Sequence, residues 1–153
     1  MQKIHHQLAE LESYITKHAM LNNSVSAVPI GWHIEHCLLV IEAIIEQVGL
    51  SDPNNYKWQF NKLRLIVFTL NKIPRGKAKA PGIVLPKDYS AESLLEHLQN
   101  VKLRVTDLQT MQPKQYFKHP MFGHLHLKAT TKFLQIHTLH HLKIMRDVIK
   151  TGV

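Results

Sequence analysis

The last third of the chain limits the possible folds most strongly. In LKATTKFLQIHTLHHLKIMRDVIK, Leu127, Thr130, Leu134, His137, His141, Met145 and Val148 recur at steps of three and four. That period belongs to a helix and marks one inward stripe. Its two central positions are histidine, where a core would take apolar side chains. His137 and His141 are four residues apart, so their imidazoles stand one turn apart on one face. Two imidazoles so placed can share a single metal ion.

The rest of the chain supplies partners for that helix. Ile4, Leu8, Leu11 and Ile15 give a helix over residues 2–20. LNNSVSAVP breaks it, with Ser24 and Ser26 as candidate caps and Pro29 in the next first turn. A second helix runs over 29–48 with Gly49 as its stop. Residues 56–71 are apolar at helical spacing, with strand as the alternative. KIPRGKAKAPGIVLPKDY, residues 72–89, is a long loop. Ser90 opens a helix with an apolar face from Leu94 to Leu108, without the Glu of a capping box. Residues 110–126 read as irregular, and 127–150 form the final helix. The expectation is an all-α single domain over residues 1–153, a four-helix bundle with an additional short helix and two long loops.

A metal held by two ligands is weakly bound, and the second helix offers a third. Its inward stripe is His33, His36 or Cys37, Val40, Ile41, Ile44 and Val48. Bundles build metal centres from side chains on facing helices. The plainer readings stand beside this one. A core histidine is usually just hydrogen-bonded, and 12 histidines in 153 residues produce paired spacings by chance. His140 shares the chelating range with His141. His33 reads as a ligand, a donor to a ligand, or a half-buried helix-start residue. His119 in HPMFG is the catalytic candidate, as a fourth ligand, a proton carrier or a loop hydrogen bonder. Trp32 and Phe122 read as packing, Glu35 and Glu42 as solvated charges, and Cys37 as a small core residue. A carboxylate that orients a ligand imidazole is expected, without an acid to assign.

Charge is uneven along the chain. Residues 1–52 hold two basic and six acidic residues, and residues 53–153 hold 17 and five. The basic loop, with Lys72, Arg75, Lys77, Lys79 and Lys87, reads as a solvated surface, an anion funnel or a phosphate contact. A basic nucleic-acid-binding protein is the alternative function. The zinc-finger, homeodomain and RNA-binding signatures are absent, so nucleic acid is not the expected partner. The longest apolar run is too short to span a membrane, so a membrane is not an expected partner either. One cysteine and a polar start, MQKIHHQLAELE, fit a cytoplasmic chain without a secretory leader.

GWHIEHCLLVIEA, PRGKAKAP, HPMFG and HTLHHLKIM occur in that order, and together they resemble the DinB/YfiT-like superfamily, in a branch of unknown function. The resemblance covers roughly residues 20–150. It implies a four-helix bundle with a metal held by His36, His137 and His141. It also implies a metal-dependent transferase or hydrolase, with an S-transferase acting on a low-molecular-weight thiol among the reactions. Bundles of this kind often pair through exposed apolar helix faces, so a homodimer is a further expectation. Where many relatives carry glutamine in the last motif, this chain has Ile144. Three neutral imidazoles suit zinc, nickel, iron or copper. A non-catalytic metal-binding scaffold is a further alternative.

Overall fold

The computed structural model describes residues 1–76 and 81–151. Among these residues five α-helices form: α1 (Gln2–Ser13), α2 (Ile30–Leu50), α3 (Lys62–Leu70), α4 (Ala91–Arg104) and α5 (Leu127–Thr151). A two-stranded sheet, β1 (Tyr116–His119) and β2 (Gly123–His126), lies between α4 and α5.

Four helices make the bundle. α2 packs against α4 and α5, and α1 packs against the same two from the other side. The apolar stripes meet between them: Ile4, Leu8 and Leu11 from α1, Ile34 and Ile41 from α2, Leu94 and Leu98 from α4, Leu134 and Leu142 from α5 are almost wholly buried. Buried side chains of this size contribute roughly 1.5–3 kcal/mol each, which fixes the stripes inward. The expected stripes of α2 and α5 both face this core, His33, His36 and His141 included.

Several boundaries differ from the sequence expectations for identifiable reasons. The first helix stops at Ser13, and a 3-10 turn over Ile15–Lys17 follows. α2 runs through Gly49 to Leu50, with Ser51 as its cap. Ser51 Oγ donates to the Val48 carbonyl at 2.7 Å and accepts from Tyr116 N at 2.9 Å. Neither Ser24 nor Ser26 caps α2, which begins after Pro29 without a side-chain cap. The helix expected over 56–71 starts only at Lys62, because Asn61 caps it by accepting from Arg64 N at 2.8 Å. The residues before it are held against the hairpin instead. Lys57 N donates to His124 Nδ1 at 3.2 Å and Asn61 Nδ2 donates to the Met121 carbonyl at 2.8 Å, while from α3 itself the Arg64 guanidinium reaches the Phe122 and His124 carbonyls. α4 does have a capping box, with Ser93 taking the role of the missing acid: each serine hydroxyl accepts from the other's backbone N–H.

The stretch expected to be irregular contains the hairpin, so the chain is not purely helical. Phe117 pairs with Leu125 across the strands and both are buried, while Lys118 opposite His124 faces out. That is period-two alternation. Gly123 closes the turn at φ 71, a left-handed conformation that favours glycine.

Candidate metal centre

α2 and α5 bring three imidazoles together inside the bundle. One ring nitrogen each from His36, His137 and His141 lies within 4.8 Å of the others. The ring centroids are 5.1 Å apart for His36 and His137, 4.8 Å for His36 and His141, and 4.7 Å for His137 and His141. Residues about 100 positions apart in sequence thus meet at one point. The i, i+4 step on α5 supplies two rings, and the inward stripe of α2 supplies the third.

Hydrogen bonds fix how the rings present themselves. His36 Nδ1 lies 2.8 Å from the Val84 carbonyl oxygen. A carbonyl only accepts, so Nδ1 carries the proton and Nε2 keeps the lone pair. His141 Nδ1 lies 2.9 Å from His33 Nδ1, and His33 Nε2 lies 2.9 Å from Ser26 Oγ. Ser26 Oγ has one proton and stands 2.9 Å from the Val28 carbonyl, while accepting from Val28 N at 3.2 Å. One proton arrangement satisfies every contact. Ser26 donates to Val28, His33 Nε2–H donates to Ser26, and His141 Nδ1–H donates to His33. His141 then also keeps its lone pair on Nε2. His137 Nδ1 is buried with no hydrogen-bond partner among the described residues. Leaving such a nitrogen unpaired costs about 1–3 kcal/mol.

The electrostatics favour neutral rings. Burial, aided by neighbouring histidines, holds His137 and His141 well below the ordinary imidazole range. His36 is lowered by burial, against the opposing bond to Val84. His33 is pushed down to about 4, chiefly by burial and then by His36, His140 and Arg75. Neutral imidazole is the form that binds metal. Trp32 stacks on His36 with centroids 5.0 Å apart and planes 15° from parallel, so it packs directly against the centre. The three-nitrogen, all-imidazole set with an unpaired buried nitrogen fits a divalent transition metal.

The remaining candidates fall outside the three-atom group. His33 touches His141 but serves as its acceptor. His140 sits edge-on to His141 at 5.1 Å, half-buried. His119 is engaged in its own turn, where Nδ1 accepts from Met121 N at 3.1 Å and Phe122 N at 3.2 Å. Burial pushes it to about 4. Phe122 packs face to face on His119 at 4.2 Å. Cys37 is buried, and burial raises its thiol.

No family model, no curated protein and no solved structure matches this chain. The centre therefore rests on its own geometry.

Two features escaped the sequence. Glu35 and Glu42 are not free solvated charges. They grip the two ring nitrogens of His97 on α4, at 2.9 Å and 3.1 Å. The outer partners of His36 and His141 are a backbone carbonyl and a histidine, and none of the polar contacts described above brings in the expected carboxylate. A carbonyl leaves no signal in residue identity, so Val84 could not be found that way. Of the basic loop, Arg75 pairs with Asp147 at 2.6 Å, and Lys72 and Lys87 are exposed. Lys77 and Lys79 lie outside the described residues.

Proposed function

We propose that the chain is a metal-dependent enzyme with His36, His137 and His141 as its ligands. The observation that carries this reading is the convergence of three neutral imidazoles, one with an unpaired buried nitrogen. Three protein ligands leave a coordination position open, the pattern of catalytic rather than structural sites. When bound, zinc, nickel or iron would supply Lewis-acid activation of a water or a thiol at that position. The protein's part is to orient the rings. Val84 and His33 hold His36 and His141 with their lone pairs free, and Trp32 packs against His36. The resemblance to the DinB/YfiT-like superfamily supports a transferase acting through a low-molecular-weight thiol, with hydrolysis as the other chemistry such a site serves.

The test is metal-dependent consumption of a low-molecular-weight thiol with an electrophilic acceptor, or of an ester or amide panel. Activity in the metal-loaded protein that disappears in His141→Ala supports an enzyme. Full metal occupancy with no turnover of either class leaves a metal-binding scaffold and overturns the enzyme.

A further inference from the structure

Outside the histidine centre, the surface departs most from ordinary chemistry at α3 and the segment before it. Only Val67 of α3 is buried, and Arg64 and Phe68 beside it are half-buried. The opposite side of the helix carries Leu65, 57% exposed, and Ile66, 55% exposed, with Leu70 on the flank at 66%. Trp58 and Phe60, just before the helix, are 66% and 62% exposed. The helix thus turns Leu65, Ile66 and Leu70 to solvent together with Lys62 and Thr69. Large apolar side chains exposed in such number over residues 58–70 mark a surface that something covers.

The charge around this face selects the occupant. Residues 53–87 contain eight lysines and arginines and no acid. Lys57, Lys62 and Lys72 are exposed beside the apolar residues. A second copy docking through the same face would set two basic rims against each other, because a two-fold interface pairs a patch with itself. The segment has no acid to answer them. Lysine is also depleted at protein–protein interfaces. An anionic lipid surface satisfies both parts, since the acyl boundary takes Trp, Phe and Leu while the headgroups take the lysines. We propose that the outer face of α3, with Trp58 and Phe60, adsorbs to an anionic bilayer surface. No described helix is long and apolar enough to cross a membrane, and adsorption requires none. This inference does not depend on the metal centre.

Co-sedimentation of the full chain with vesicles tests it. The probes are phosphatidylcholine alone and phosphatidylcholine mixed with phosphatidylglycerol. Binding to the mixed vesicles alone is expected, weakening as salt rises. The pair Leu65→Glu and Ile66→Glu should reduce it about 100-fold or more. Lys57→Gln and Lys62→Gln should each reduce it about fivefold. Should the glutamates disturb folding, Leu65→Ser with Ile66→Ser gives the same comparison, with a loss of at least about tenfold. Absence of binding to the mixed vesicles overturns the proposal. So does binding that the Leu65 and Ile66 variants leave unchanged. A dimer that those variants dissociate, with no vesicle binding, assigns the face to a second copy and overturns it too.

Discussion

Val84 contributes no side chain to the centre, yet its carbonyl decides which nitrogen of His36 faces inward. His33 does the same for His141, through a proton order anchored at Ser26. Outer partners of this kind typically account for 10–100-fold in metal affinity. His33→Phe removes the acceptor while keeping a buried aromatic ring. It should weaken zinc binding by roughly that factor in a competition titration, with unchanged stoichiometry. Loss of one full equivalent would instead make His33 a ligand. Removing a ligand is more severe, and His137→Ala with His141→Ala should abolish tight binding. At this scale the sequence was informative about side chains on periodic stripes. The i, i+4 histidines and His36 stood where apolar residues belong, so their type was anomalous for their position. The partners of those rings were not legible. Val84 is 48 residues from His36 and acts through its backbone.

The helices of the bundle followed from apolar period, since burying a stripe is what makes such helices stable. The hairpin did not, because its strands are four residues long and carry lysine and histidine among the apolar positions. Only Phe117 and Leu125 face the core there, too few for the alternation to stand out. Between α2 and α5 the buried histidines make stability depend on pH. The unfolded chain takes up protons near 6.5, whereas folded His33 resists them to about 4. The folded state therefore keeps this stability above about pH 6.5 and loses it as pH falls toward 4. The urea midpoint of the metal-free protein should drop across that window, and less steeply in His33→Phe. A midpoint that rises as pH falls from 6.5 to 4 would contradict the burial of these rings. Between α2 and α4 the sign reverses. Burial opposes protonation of His97, but Glu35 and Glu42 outweigh it and raise its pKa. That bridge is present below about 6.5 and is lost as pH rises through the raised value. His97→Ala should accordingly destabilise the protein more at pH 6 than at pH 9, measured by the difference in urea midpoints.

For the whole molecule, the two halves of the charge distribution sit on different parts of the fold. Acids of α1 and α2 pair with bases of α4 and α5, as in Glu10 with Arg146, Glu12 with Lys102 and Glu42 with Arg104. The basic excess gathers on α3, the loop after it, the hairpin and α5. The three-histidine group lies between α2 and α5, so an ion bound there would tie two bundle helices together. Binding only to the folded state should stabilise the protein by about 2.7 kcal/mol at a metal concentration 100-fold above Kd. Thermal unfolding with and without a chelator reads this directly, and Tm should fall on metal removal in the wild type but not in the His137→Ala, His141→Ala variant. The most direct test of the account is elemental analysis of the protein purified without a polyhistidine tag or added metal. About one zinc, nickel or iron per chain in the wild type, and none in the double variant, is the expected result. Wild-type protein that takes up no divalent ion even when one is supplied would contradict it.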